Sequence, residues 1–526
     1  MNYYSRVKPI LNKLSELNVY DSLYVVHEYI NNCVNKQSLE YIRGVKDPLY
    51  NGINIWIADF LIANIIRYCD NITSKVSLRD AKTRSKIITP ISEIHQELTH
   101  NYIQKDVFIW LNSYIFNQVK ISIKENELKL WYKYYYMYKS PKVRSYAEKI
   151  LGFSIESYFK MAFFLYITIG EKNKFKIDEN YFWPKKYCED DENIKALKYL
   201  TSCLSRTLPE MKLLCKEFCS FEEEQLFSIF NAPHIRYPLI REGKTYYCTV
   251  PRYLYVSSLE GLYYQLNMPN CPDQAVQKEF SENLENYIGL LFEHYFKGGN
   301  IYFKKEIIYD TPKEKSQRTS DWILWDKNDI CFLDCKTKRI SVKGKQATTL
   351  DYELIEKIVN EKPFSGKNKK KEIDSLEDSL TKDLINLGIG LGKIYVCYDE
   401  YKSGKISELP DMPKKGFYAI LVTLEECFSN TPGYKERIVE IAQSYRQFKS
   451  SSTELIDLER VRIMTVKDVE EEACIIEHRG LKFCMENYMD NKKMEENWVK
   501  DTYIMDRCHE ELISPIIKEL EPYYKS

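Results

Sequence analysis

Through the first 230 residues, hydrophobic positions recur at intervals of three and four. DSLYVVHEYINNCV and SIESYFKMAFFLYITI are the clearest runs, and that spacing predicts amphipathic helices. Residues 1–230 therefore read as a helical N-terminal domain, with no fixed repeat period along it. Near residue 235 the pattern changes. IRYPLI and TYYCTV flank Arg241-Glu242-Gly243-Lys244, which predicts a β-hairpin with glycine in its turn. PRYLYVSSLEGLYYQL predicts a helix opening on proline, and NMPNCPD (267–273) reads as a boundary. Residues 231–273 thus form a connector.

From 274 the signals alternate. A helix is expected over 276–296 and strands near 301–308, 320–325 and 330–338. A polar segment follows and ends in the basic loop SGKNKKKE (365–372), and then a helix is expected over 374–388. KIYVCY (393–398) and FYAILVT (417–423) read as buried strands, and the glycine-rich NLGIGLGK (386–393) as a helix end and turn. The expected fold class is an α/β core with a mixed β-sheet at 274–430. It lies between the large helical N-terminal region and a helical C-terminal region at 431–526, which carries one short strand near Arg462–Met464.

Composition narrows this only a little. A hydrophobic share of 44% with 29% charged residues is that of a globular chain. Lys+Arg and Asp+Glu are equal at 76 each, so a nucleic-acid binder of this composition must concentrate its basic residues locally. The N-terminus lacks a signal-peptide core, and MAFFLYITIG (161–170) is too short to span a bilayer, so a cytoplasmic location without membrane contact is expected. The 15 cysteines are scattered and odd in number, as for reduced thiols used as small hydrophobes. Cys215/Cys219 and Cys331/Cys335 have no second pair or histidine at zinc-finger spacing, and no HxH or HExxH pattern occurs. The chain also lacks a Walker-type phosphate loop, so any ATP-driven or sensing step is assigned to a protein partner.

The chemistry concentrates in SDWILWDKNDICFLDCKTKR (320–339). Two runs of β-formers flank Asp326-Lys327-Asn328-Asp329. A two- or four-residue loop there sets Asp326 opposite Asp329, Trp325 opposite Ile330 and Asp321 opposite Asp334, whereas an odd loop length would separate the two acids. Opposed residues have Cβ atoms about 5 Å apart, and like charges there are destabilising unless a cation sits between them. Alternation puts Ile330, Phe332, Asp334 and Lys336 on one face of an internal strand, with the acid and the lysine at its end. A lysine beside a metal-binding carboxylate can orient water or stabilise charge on a phosphate. Asp…Asp-x-Lys therefore fits metal-dependent phosphodiester hydrolysis.

This arrangement resembles the PD-(D/E)xK nuclease superfamily, which has the restriction-endonuclease-like fold. Asp321 matches the first acid, with Ser320 in place of the proline, and Asp334-Cys335-Lys336 matches the second acid, spacer and lysine. The resemblance covers about 150 of the 526 residues. It implies Mg²⁺ or Mn²⁺ held by Asp321, Asp334 and the backbone carbonyl of Cys335, with a further glutamate from the preceding helix. In that helix Phe280, Leu284, Tyr287, Ile288, Leu291 and Tyr295 form an apolar stripe. Glu285 lies at the stripe's edge and is the choice for that glutamate, with Glu282 and Glu293 as weaker candidates. Branches with Gln-x-x-x-Tyr on the following helix are disfavoured, because Gln346 is followed by Leu350 at that spacing.

Two further features bear on nucleic-acid contact. Lys338, Arg339, Lys343 and Lys345 follow the motif, and Lys369 and Lys370 lie in the basic loop, where they could neutralise phosphates or simply be solvated. WYKYYYMYKSPK (131–142) could stack bases, but a tyrosine-rich helix packed on a neighbour is the favoured reading. The functional expectation is a Mg²⁺-dependent endonuclease acting on nucleic acid, DNA favoured, of the kind found in bacterial phage defence or mobile-element restriction. The alternative is a non-enzymatic binding or assembly protein that keeps a nuclease-like scaffold.

Overall fold

The computed structural model describes residues 3–35, 57–69, 73–94, 97, 127–171, 174–182, 190–218, 232–310, 315–337, 353, 355–356, 379–409, 416–424 and 433–486. The protein is mostly helical with mixed β-sheets. Its described residues divide into two compact units, one up to Val276 and one from Gln277 onward.

The first unit contains helices including Val19–Asn35, Ala58–Tyr68, Glu127–Tyr138 and Ile155–Leu165 and a small four-stranded sheet. Its strands are β1 (Lys176–Asp178), β2 (Ser205–Thr207), β3 (Leu239–Glu242) and β4 (Thr245–Cys248), in the order β1-β4-β3-β2. The hairpin expected near 235–250 is β3–β4, with Glu242 paired to Thr245 and Gly243 at φ +58° in the turn. In the tyrosine-rich segment, Trp131 stacks on Tyr135 at 5.1 Å, and its Nε1 donates to the Phe159 carbonyl at 2.8 Å. That indole is a packing residue, buried within its own unit. No single described helix is long and apolar enough to cross a membrane.

The second unit is an α/β core. Its five-stranded sheet runs β11-β10-β9-β8-β5. The members are β5 (Tyr302–Lys305), β8 (Trp322–Trp325), β9 (Asp329–Lys336), β10 (Gly416–Thr423) and β11 (Val461–Thr465). A two-stranded ribbon, β6 (Ile308–Tyr309) with β7 (Gln317–Arg318), lies between β5 and β8 in the chain. The sheet is mixed: β5–β8 and β8–β9 are antiparallel, and β9–β10 and β10–β11 are parallel. β9 is central, and seven of its eight residues are buried, which explains its apolar character on both faces. β11 extends this sheet, so the core draws in chain beyond residue 430.

Three helices position the rest. The Gln274–Tyr295 helix, here the glutamate helix, buries the whole expected stripe from Phe280 to Tyr295. It meets the sheet at Gly289, where a Cβ would overlap the indole of Trp322. The Ser379–Lys402 helix, here the glycine helix, is the crossover from β9 to β10. The Tyr434–Ser450 helix packs on it and leads to β11. Arg446 ties those two together: its guanidinium grips Asp399 with two hydrogen bonds, 2.9 and 2.6 Å, and is almost wholly buried.

The glycine helix corrects two expectations. KIYVCY is not a strand, and NLGIGLGK is not a helix end, because both lie within one unbroken helix of 24 residues. The helix is covered on two sides, so its apolar residues lose the one-sided periodicity that marks a helix. Tyr395 and Tyr398 pack on Phe417 of β10 at 5.2 and 3.7 Å, and Tyr401 packs on Phe332 of β9 at 5.9 Å. Gly388 and Gly392 face the Tyr434–Ser450 helix, where a Cβ would come within 2.6 Å of the Ile441 Cβ and 2.9 Å of the Tyr445 Cβ. These glycines allow two helices to approach closely.

Candidate active site

The turn between β8 and β9 sets the register. The Asp326 carboxylate accepts from the backbone amides of Asn328 and Asp329 at 2.8 and 2.9 Å, and the Asp326 amide donates to the Asp329 carbonyl at 3.0 Å. Trp325 then pairs with Ile330 and Trp322 with Leu333, so the next position sets Asp321 opposite Asp334.

Each acid accepts a backbone amide from the other's segment. The Cys335 amide donates to Asp321 Oδ2 at 2.6 Å, and the Asp321 amide donates to Asp334 Oδ1 at 3.4 Å. Lys336 Nζ donates to Asp334 Oδ2 at 2.8 Å. The glutamate helix is tied to this strand end at two points: Ser281 Oγ lies 3.0 Å from Thr337 Oγ1, and Trp322 Nε1 donates to the Glu285 carbonyl at 2.9 Å. Behind the acids, Glu306 donates its amide to the Asp321 carbonyl at 2.9 Å and pairs with Arg318 at 2.9 Å.

Negative charge is crowded here. Burial, then the charges of Asp334 and Glu285, push the Asp321 carboxyl up from 3.8 to about 7, against the Cys335 amide and Lys336, which pull it down. Burial also raises the Glu285 carboxyl; Lys305 opposes that shift, and Glu306, Glu282 and Asp334 add to it. Burial alone would depress the Lys336 ammonium, but Asp334 and Asp321 outweigh it and raise its pKa, so Lys336 stays protonated. Burial and the three neighbouring carboxylates drive the Cys335 thiol well above its usual range, so its side chain is an inert thiol.

Asp321, Asp334, Lys336 and Cys335 therefore meet at one strand end, and Glu285 is close enough to act on both acids. Glu282 instead pairs with Lys278 at 3.5 Å, and Glu293 is exposed. Lys338, Arg339, Lys343, Lys345, Lys369 and Lys370 lie outside the described residues. Among the described residues, no three His, Cys, Asp or Glu side chains are gathered into a metal-binding group.

Sequence reasoning missed the residue above Lys336. Gly390 of the glycine helix lies over the lysine's stem, where a Cβ would sit 3.1 Å from Lys336 Cε and 3.5 Å from Leu421 Cδ2. Its signal was the spacing of the glycines: Gly388 and Gly392 share one helix face, and Gly390, two residues from each, faces the opposite way. Comparisons with protein-family models, curated proteins and solved structures return no match to this chain.

Proposed function

We propose that this protein is a divalent-metal-dependent nuclease with a restriction-endonuclease-like core. The observation that carries the reading is the acid pair at the end of β9, with an ammonium 2.8 Å from Asp334. Three carboxylates in partial burial repel one another, and Asp321 relieves this by holding a proton up to about pH 7. A hard cation relieves it better. Mg²⁺ or Mn²⁺ fits Asp321, Asp334 and the Cys335 carbonyl, with Glu285 within reach of the same charge, and when bound it would supply charge neutralisation at a phosphate.

The chain's own groups do the rest. Lys336, kept protonated, serves as a cation that holds a water or a phosphate oxygen, and it does not serve as a base. Asp334 orients that ammonium. The Cys335 amide fixes the Asp321 carboxylate, so one of its oxygens is spent on positioning and the other is left for a ligand. DNA is the favoured substrate, with RNA as the second, and the basic residues after the motif would meet the phosphates.

A cleavage assay tests this. DNA and RNA, single- and double-stranded, are incubated with the protein and Mg²⁺ or Mn²⁺, alongside Asp334→Ala and Lys336→Ala. The reading expects metal-dependent cleavage that both variants lose. Wild type and variants behaving alike on every substrate would leave the binding or assembly reading in its place.

A further inference from the structure

We propose that Gly390 is a positioning residue for Lys336, resting on the nuclease reading above. The face of β9 that carries the motif is covered residue by residue by the glycine helix running the other way. Phe332 meets Tyr401, with ring centroids 5.9 Å apart. Two residues on, the charge of Asp334 helps to raise the Cys397 thiol, after burial. Two residues further, Lys336 lies under Gly390.

At Gly390 the group that an added methyl would meet is the stem of a charged residue. An added methyl would press on Lys336 Cε from above while Leu421 Cδ2 closes the neighbouring direction. Leu421 is itself fully buried on β10, at the position paired with Asp334. The stem must move, and the ammonium it carries is held to a single oxygen of Asp334. Glycine in a helix interior lowers helix stability relative to alanine, so helix formation does not account for its presence. Packing against a second helix accounts for Gly388 and Gly392, but Gly390 faces the sheet.

The consequence is specific. Gly390→Ala should melt no lower than wild type, leave KM for nucleic acid unchanged, and lose about tenfold in kcat, as for a reacting group displaced by a few tenths of an ångström. Gly390→Leu should lose more. In a Lys336→Ala background, followed under single-turnover conditions with enzyme in excess, Gly390→Ala should cost nothing further, because the group it displaces is gone. An equal loss in both backgrounds, or a wild-type kcat in Gly390→Ala, overturns the assignment. Crystal structures of wild type and Gly390→Ala read the same claim without activity. An ammonium displaced from Asp334 in the variant supports it, and one still seated there refutes it. If wild type cleaves none of the substrates, the nuclease reading falls, and this crystallographic comparison still decides whether Gly390 places Lys336.

Discussion

Each unit of this protein buries a carboxylate among polar groups, and the two are handled in opposite ways. In the first unit Asp59 is enclosed by two side-chain partners: His234 Nε2 lies 2.8 Å from Oδ1, and the Tyr253 hydroxyl donates to Oδ2 at 2.7 Å. All three residues are buried, and burial together with Asp59 keeps the Tyr253 hydroxyl protonated. Both carboxylate oxygens are used. In the second unit, among the described residues, Asp321 receives one hydrogen bond from the Cys335 amide and faces the charges of Asp334 and Glu285. Such a site is short of positive charge. A satisfied buried acid stabilises a fold, whereas an acid pair left in excess is suited to an external cation.

That contrast can be broken most sharply at Asp334. Asp334→Ala should reduce metal-dependent cleavage by about a thousandfold, measured as initial rate at saturating Mg²⁺, while leaving the fold intact by circular dichroism. A variant that cleaves within about tenfold of wild type would remove the acid pair from the chemistry.

Asp59→Ala should do the reverse. It leaves a buried imidazole and a buried phenol without their partner and should cost about 3 kcal/mol, read as a lower urea midpoint for the first unit. Cleavage per folded molecule should not change.

A smaller effect of opposite sign is expected at Asp321. Its carboxyl titrates at about 7 in the folded protein against 3.8 as the reference value, so the folded state holds the proton more tightly. Stability contributed by this group is therefore full at low pH and is lost as pH rises toward and through about 7. Asp321→Asn should consequently be more stable than wild type by about 1 kcal/mol at pH 8, the gain shrinking toward pH 4, even as it loses cleavage. A denaturation series across pH that shows no such trend would contradict the crowding of charge at this strand end.

The smallest effect sharpens the same point. Divalent cations should raise the melting temperature of wild type more at pH 8 than at pH 6, because protons compete for Asp321 below about 7. Asp321→Asn should flatten that difference, and Asp59→Ala should preserve it.

Local patterns in the chain were enough to bring the candidate residues together. A turn of even length and the two-residue alternation of strands are short-range constraints, so the pairing of Asp321 with Asp334 and the shared face of Asp334 and Lys336 follow from residues 320–336 alone. Glu285 was reachable in the same way, because the apolar stripe of its helix, all buried, leaves few glutamates at the boundary. The stretch from Asn386 to Tyr398 was not legible. Its β-branched and aromatic residues suit a strand, and its glycines suit a turn. One helix holds all of it because a sheet on one side and a helix on the other reward close approach.

By itself, then, the sequence determined an α/β unit with a mixed sheet after a helical region, the β8–β9 hairpin with its register, and the identity of the acids and lysine that share a strand end. The tertiary structure decided what lies over them. It set the glycine helix against β9, drew β11 into the sheet, and left Gly390 as the space in which the Lys336 stem lies. The physical reason is range. Register and alternation are properties of neighbours along the chain, whereas the room above a side chain is made by elements more than fifty residues away, and the glycine spacing gains its meaning only once they are in place.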